Sequence, residues 1–454
     1  MPDILLIQPP IEDFYLTLKR TVPYGLASIA AVLRRFGFSV AILDGLATSK
    51  ARTIPWPDTM VHLAPYFGRF DGTPFCLFHQ YRHFGYAIAH LAQQAKASGA
   101  RLIGISSLFT AYSDTALHLA EAVKRVCPDA VIVMGGHHPT ALPAAVMANN
   151  AVDYVLRGDG EASLPLLAQA VFAGEQPLDV PGLVHRTTSG ALVVGAPAMV
   201  SDLNRLPPPA FDLIDWHHYQ RHGFGSLAIT AGRGCPLRCT YCAVNAATWH
   251  GYRRRDVASI IAELTEASGV IPVGFIDFED EHLTVDRSWF MAMLSAIRQH
   301  FADQPPELRA MNGLLASTLD AEMMTAMCNS GFRTLNLALI TSCRQQLARF
   351  RRPDITTDLP RIASLARSRG MNVVAYLIAA GPGQDPFASV RDLIFLAGLP
   401  VLAGVSIFYP APGSADYEWC RRNGLLPSTF AQMRATALPL THTCDHRQAA
   451  TLLR

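Results

Sequence analysis

Short apolar runs alternate with segments of helical spacing in two long series, and this alternation narrows the possible folds more than any other feature of the chain. In the first series "DILLIQ" (3–8), "FSVAILD" (38–44), "RLIGISSL" (101–108) and "AVIVMGG" (130–136) read as buried strands. Between them "VPYGLASIAAVLRRFG" (22–37) and "TALHLAEAVKRVCP" (115–128) place apolar residues at helical intervals. "VDYVLRGDGE" (152–161) is a strand running into a loop, and residues 181–200 read as a hairpin. Repeated strand–helix units imply a parallel, doubly wound sheet, because parallel neighbours need a crossover and helices supply it. Ligands on such sheets sit at the carboxyl ends of the strands.

The second series begins near residue 224. Strands are predicted at 226–231, 272–278, 308–313, 333–339, 372–379 and 402–408, with helical patterns between them such as 256–268 and 358–370. Six such units make an open, partial (β/α)6 barrel, whose chemistry lies where strands run into loops. The chain of 454 residues then divides into a Rossmann-like domain over 1–195, a linker over 196–223, a barrel over 224–425 and a short C-terminal segment over 426–454. The linker assignment rests on the prolines of "NRLPPPAFDLIDWHHY" (204–219). An insertion at 46–85 is rich in aromatic residues and reads as a packed surface excursion or a cover over a ligand.

Charge and hydropathy exclude some classes of function. With 38 basic and 36 acidic residues the formal charge is +2, which gives no electrostatic case for nucleic acid. No apolar run is long enough for membrane insertion. The first residues lack the cationic flank and cleavage site of a secretion signal, so the expected location is cytoplasmic. Of nine cysteines, Cys76, Cys127, Cys328, Cys343, Cys420 and Cys444 are scattered and read as buried apolar residues or bystanders. Cys235, Cys239 and Cys242 instead crowd into "GRGCPLRCTYCAV" (232–244), just after the first strand of the second series. A structural zinc site wants four ligands, and His250, the nearest later candidate, is poorly spaced. Three thiolates on a cubane iron–sulfur cluster leave one iron open to a ligand.

Cys235-x-x-x-Cys239-x-x-Cys242, with Tyr241 before the last cysteine and "RGCP" ahead of it, resembles the motif of radical S-adenosylmethionine (SAM) enzymes. The resemblance implies that these three cysteines bind a 4Fe-4S cluster whose open iron chelates the methionine end of SAM. Tyr241 would lie against the adenine. "FIDFEDEHLT" (275–284) ends the second strand with acids, and Asp280 and Glu281 are candidates for the methionine amino group. "AAGPGQDP" (379–386) resembles the family's glycine-rich turn, with Gly381 at the adenosine. In "LNLALITSC" (335–343), Ile340 stands where relatives carry a ribose-binding glutamate, so Thr341 and Ser342 are the candidates for that contact.

The first domain resembles the cobalamin-binding domain of one subclass of these enzymes. Ser106, Ser107 and Leu108 follow the third strand, and Gly135 and Gly136 follow the fourth; in cobalamin proteins a Ser-x-Leu and a Gly-Gly lie there. His137, beside the glycine pair, and Gly158 and Glu161 of "LRGDGE" complete the set of candidate cobalamin contacts, with His138 a loop or tail contact as well. The loop "QPPIEDFYLTLKRTVPYG" (8–25) has no histidine, so none from that loop is expected on cobalt.

The resemblance as a whole implies a cobalamin-dependent radical SAM methyltransferase. It would act on an unactivated carbon of a small, natural-product-like molecule through a 5′-deoxyadenosyl radical and methylcobalamin. A flavodoxin or ferredoxin type electron donor is implied with it. Two other readings use the same motifs: a radical SAM oxidoreductase, cyclase or ring-rearranging enzyme without net methyl transfer, and a non-enzymatic cobalamin-binding iron–sulfur protein. No catalytic acid or base can be named from the sequence.

Overall fold

The computed structural model describes residues 1–15, 21–67, 80–244 and 251–453. They form two compact units. The first consists of Met1–Tyr219 and Ser428–Met433, and the second of the other described residues.

In the first unit β1 (Ile4–Gln8), β2 (Val40–Asp44), β3 (Leu102–Ser106), β4 (Val131–Gly135) and β5 (Tyr154–Leu156) run parallel. A hairpin of β6 (Leu183–Arg186) and β7 (Leu192–Val194) extends one edge antiparallel. The order across the sheet is β7-β6-β5-β4-β3-β1-β2. Successive side chains of β1 point to opposite faces, as a pleated strand requires. Leu5 and Ile7 pack with Leu91 and Leu119, on helices α2 (Ile88–Ser98) and α3 (Ser113–Val126). Ile4 and Leu6 pack with Leu33 and Leu164, on α1 (Tyr24–Arg35) and α4 (Gly160–Ala173). Both faces are covered, which makes the sheet doubly wound. The order reverses between β1 and β3, so the loops after those strands diverge and open a crevice.

Two segments differ from the sequence-based expectation. The stretch read as a linker over 196–223 is folded onto the first unit as far as Tyr219. Short 3-10 turns at Leu203–Arg205, Phe211–Leu213 and Trp216–His218 replace extended chain. Ala210 N–H donates to Ala27 O at 3.0 Å, and the Arg34 guanidinium grips both oxygens of Asp212 at 2.8 Å. The prolines mark turns, while Phe211, Ile214, Trp216 and Tyr219 are buried and decide the packing. Within the expected C-terminal segment 426–454, Ser428–Met433 also joins the first unit. Phe430 meets the His138 ring edge-on at 5.3 Å, and Gln432 Nε2 donates to Thr59 O at 2.6 Å.

The described part of the aromatic insertion packs on residues 11–14, just after β1. Three short strands, Ile11–Asp13, Ala51–Thr53 and Arg82–Phe84, pair antiparallel. Phe14, fully buried, meets Trp56, Phe67 and Tyr81 at ring distances of 4.8, 5.8 and 4.9 Å. Cys76 and His250 lie outside the described residues.

In the second unit β8 (Phe224–Ile229), β9 (Val273–Phe278) and β10 (Glu307–Arg309) form one parallel set. β11 (Thr334–Ile340), β12 (Asn372–Ala379) and β13 (Leu402–Ile407) form another. Bridges Leu308–Phe332 and Leu314–Leu337 join the two sets into one arc. Helices follow in alternation: α5 (Val257–Val270), α6 (Arg287–His300), α7 (Ala321–Asn329), α8 (Arg344–Phe350), α9 (Asp358–Ser368) and α10 (Pro386–Ala397). This is the six-strand partial barrel. Its third strand is shorter than 308–313: it ends at Arg309, and Met311 and Asn312 form a turn. Among the described residues no helix is long and apolar enough to cross a membrane.

Candidate functional site

The cysteine loop leaves the end of β8 and is fixed by acids at the end of β9. Asp280 Oδ2 accepts Ala231 N–H at 2.9 Å, and Glu281 Oε2 accepts Gly234 N–H at 3.0 Å. Gly234 takes φ +85°, and a Cβ there would lie 2.3 Å from Gly251 O, so the approach to Cys235 is open only to glycine. The two acids are not equivalent. Asp280 is buried, its Oδ1 has no partner, and burial pushes its carboxyl up to about 8, so at neutral pH it is mostly protonated. Glu281 is partly exposed, and its charge acts on both Cys235 and Cys242. Both acids brace the turn, and of the two Glu281 is the more accessible.

Burial pushes the Cys235 thiol up, and neighbouring Cys239 adds to the shift. Burial pushes Cys242 up to about 11, with Cys239 and Cys235 adding to it. The three sulfurs are thus close enough to oppose one another's ionisation. Among the described residues no group of three or more His, Cys, Asp and Glu is gathered to hold a single metal ion. A cation is supplied from α8's C-terminal side: Arg352 Nη1 lies 3.9 Å from Cys239 Sγ, and its Nη2 donates to Ala338 O at 3.0 Å. Nothing in "RFRRP" (349–353) singles Arg352 out from its neighbours in the sequence. The Tyr241 ring stands edge-on to Phe350 at 5.0 Å and packs beside Phe408, and burial pushes its phenol up.

The hydroxyl pair after β11 divides by burial. Thr341 is 0% exposed, donates to Asp392 Oδ2 at 2.7 Å and accepts Cys343 N–H at 3.1 Å. Ser342 is partly exposed and gives both its hydroxyl and its N–H to Asp392 Oδ1, each at 2.6 Å. Asp392, on α10, escaped the sequence reading because it sits in a helix far along the chain. Gly381 follows β12, and a Cβ there would lie 2.8 Å from the Phe350 ring and 3.0 Å from the Gln346 amide.

In the first unit the ends of β3 and β4 make a narrow seam. Ser106 pairs with Gly135, Ser107 N–H donates to Gly135 O at 2.8 Å, and His138 N–H donates to Ser107 O at 3.2 Å. Gly136 has φ 116°, and a Cβ there would stand 2.6 Å from Ser107 O. Ser107 Oγ is buried without a partner, while Leu108 and Phe109 are 40% and 54% exposed. The seam therefore offers an unspent hydroxyl beside an apolar ledge. The crevice between β1 and β3 is lined by Gln8, Pro9, Ser106, Ser107, Phe109 and Tyr112. Thr140 Oγ1 donates to Gly136 O at 2.8 Å and accepts Gly158 N–H at 3.0 Å, tying Gly158 to the same edge. His137 is exposed there. His138 is buried, and burial lowers it to about 4, so its ring is neutral. Glu161, at the start of α4, accepts from the Ser28 hydroxyl of α1 at 2.7 Å.

Two family models match the chain. The B12 binding domain covers residues 79–168, and the radical SAM superfamily model covers 229–394. Cytidylyl-2-hydroxyethylphosphonate methyltransferase of Streptomyces wedmorensis is 23% identical over 95% of this chain and 84% of its own length. An uncharacterized methyltransferase of Pyrococcus horikoshii is 23% identical over 93% of this chain and 84% of its own. Among solved structures, the radical S-adenosylmethionine methyltransferase TsrM from Kitasatospora setae, with cobalamin and a [4Fe-4S] cluster bound, superposes with a TM-score of 0.69. That match has 17% identity and covers 96% of this chain and 82% of TsrM, so it speaks for the fold. One module falls on each unit, B12-binding first, and the chain belongs to the radical SAM superfamily as a member with an N-terminal B12-binding domain.

Proposed function

We propose that this protein is a cobalamin-dependent radical SAM methyltransferase acting on an unactivated carbon of a small molecule. The observation that carries the reading is the cysteine loop, braced by Asp280 and Glu281 at the strand ends of a chain whose near-full-length relatives are named methyltransferases. When bound, the cluster with SAM supplies hydrogen abstraction, and cobalamin supplies methyl transfer to a carbon that is no nucleophile.

The residues present fit these groups. Cys235, Cys239 and Cys242 hold the cluster; thiols that resist ionisation when crowded and buried are relieved by the positive charge of iron. The Arg352 guanidinium beside Cys239 offsets thiolate charge from a second direction. Glu281 receives the methionine amino group, and Gly381 lets the adenosine approach the backbone. Tyr241 borders the adenine. The seam of Ser107 and Gly136 takes the cobalamin tail, with the unspent Ser107 hydroxyl as a donor and Leu108 as apolar contact. Neutral His138 lines the seam as a tail contact. A flavodoxin or ferredoxin type protein delivers the electron.

The test is anaerobic reconstitution with iron, sulfide and hydroxocobalamin, followed by a visible spectrum of the desalted protein. Cluster absorbance with retained corrin bands is expected, and the reduced protein should convert SAM to both 5′-deoxyadenosine and S-adenosylhomocysteine. Cluster without corrin would remove the cobalamin half of the reading. 5′-Deoxyadenosine with no S-adenosylhomocysteine would replace methyl transfer by oxidation or cyclisation.

A further inference from the structure

The ends of β11 and β12 share a backbone state that neither residue type favours. Ile340 has φ 73° and Ala380 has φ 56°. For a β-branched residue in particular this is an outlier that must be held from outside. One face of α10 holds both. Ser389 Oγ accepts Ala380 N–H at 3.2 Å. Asp392, three positions on and so on the same helix face, takes the Thr341 hydroxyl and the hydroxyl and N–H of Ser342. Gln384 Nε2 adds a longer contact to Asp392 at 3.4 Å, and Gln384 Oε1 accepts Gly381 N–H at 2.9 Å. Ser389 and Asp392 are both 0% exposed. A buried carboxyl with this many donors, on a helix otherwise packed through Ala388 and Leu396, fixes the groups that donate to it.

We infer that Asp392 is a positioning residue that turns Ser342 Oγ into the hydrogen-bond acceptor for the ribose of SAM. The inference rests on the radical SAM reading above. A hydroxyl has one proton, and Asp392 takes it from both Thr341 and Ser342. Thr341 also accepts from Cys343 and is fully buried, so it braces the strand end. Ser342 is partly exposed and presents only lone pairs, which suit a ribose hydroxyl as donor. The resemblance read from the sequence implies a glutamate acceptor at the position of Ile340. Here the charge sits one hydrogen bond further back, on α10, and the serine carries the contact.

The experiment measures binding of S-adenosylhomocysteine and its 2′-deoxy and 3′-deoxy analogues to the full, cluster-reconstituted chain by equilibrium dialysis. The wild type should lose about threefold to tenfold in affinity when the contacted hydroxyl is removed. Ser342→Ala should lose a similar factor with S-adenosylhomocysteine and then no longer distinguish it from that deoxy analogue. Asp392→Asn should shrink the same discrimination while its iron content stays at the wild-type level. Wild-type discrimination retained in Ser342→Ala would overturn the inference. So would an Asp392→Asn variant that weakens all three ligands equally, the mark of a merely structural role. If Asp392→Asn does not fold, Ser342→Ala with the deoxy analogues still decides the contact. Failure of the cluster-loaded wild type to bind S-adenosylhomocysteine at all would instead strike the radical SAM reading itself.

Discussion

Glu281 Oε2 accepts the backbone N–H of Gly234 at 3.0 Å, one residue ahead of Cys235. A side chain at the end of the second barrel strand thereby sets the loop that leaves the first. Glu281→Gln keeps an acceptor for that amide, whereas Glu281→Ala orphans it. The alanine variant should lose about 1–2 kcal/mol of stability and retain less iron per chain than the glutamine variant. Iron and sulfide assays after reconstitution, with denaturant unfolding, check both.

Asp44 gives a pH dependence of definite sign. Its carboxyl is buried under the hydroxyl of Tyr219, and burial, the largest influence, raises it to about 6. The folded protein therefore binds a proton that the unfolded chain has released. Stability from this group is complete below about pH 4 and is lost as pH rises through 6. The whole change is at most about 3 kcal/mol. Asp44→Asn, which stays neutral, should flatten the stability profile between pH 4 and 7 and be more stable relative to wild type at the upper end. Thermal unfolding across that range is the measurement; an unchanged slope would remove Asp44 as its source.

Gly136 stands at φ 116° with no room for a methyl group against Ser107 O. Gly136→Ala should cost about 1–3 kcal/mol of stability. It should also remove retained corrin bands without lowering cluster absorbance, since the cysteine loop belongs to the other unit. Parallel loss of both spectra would mean the substitution unfolds the chain generally.

Arg352 places a fixed positive charge 3.9 Å from Cys239 Sγ. Arg352→Gln removes the charge and keeps a donor of similar reach. Reduction adds an electron to the cluster, so loss of a nearby cation should lower its midpoint potential. An EPR-monitored redox titration reads this directly, and a potential that rises or stays fixed would contradict the assignment.

Periodicity and spacing went a long way with this chain. The six barrel strands, the doubly wound sheet and the cysteine loop are local patterns, and local patterns survive in a sequence read without partners. What escaped is long-range. Asp392 meets Thr341 across 51 positions and Arg352 meets Cys239 across 113, so neither pairing leaves a local trace. Thr341 and Ser342 carry the same functional group, and the burial that distinguishes them does not show in the sequence. The Ser28–Glu161 hydrogen bond spans 133 positions and leaves no local trace either. The prolines of 204–219 masked four buried apolar side chains that fold the stretch down. The small sheet around Phe14 is built from three-residue strands, too short to show a period.

The return of Ser428–Met433 to the first unit bears on where such a chain can be divided. Residues 1–219 are not a detachable cassette, because Phe430 and Gln432, which cover His138 and hold Thr59, are encoded two hundred positions downstream. A chain cut after residue 219 would leave the His138 ring without its Phe430 partner and the Thr59 carbonyl without its Gln432 donor.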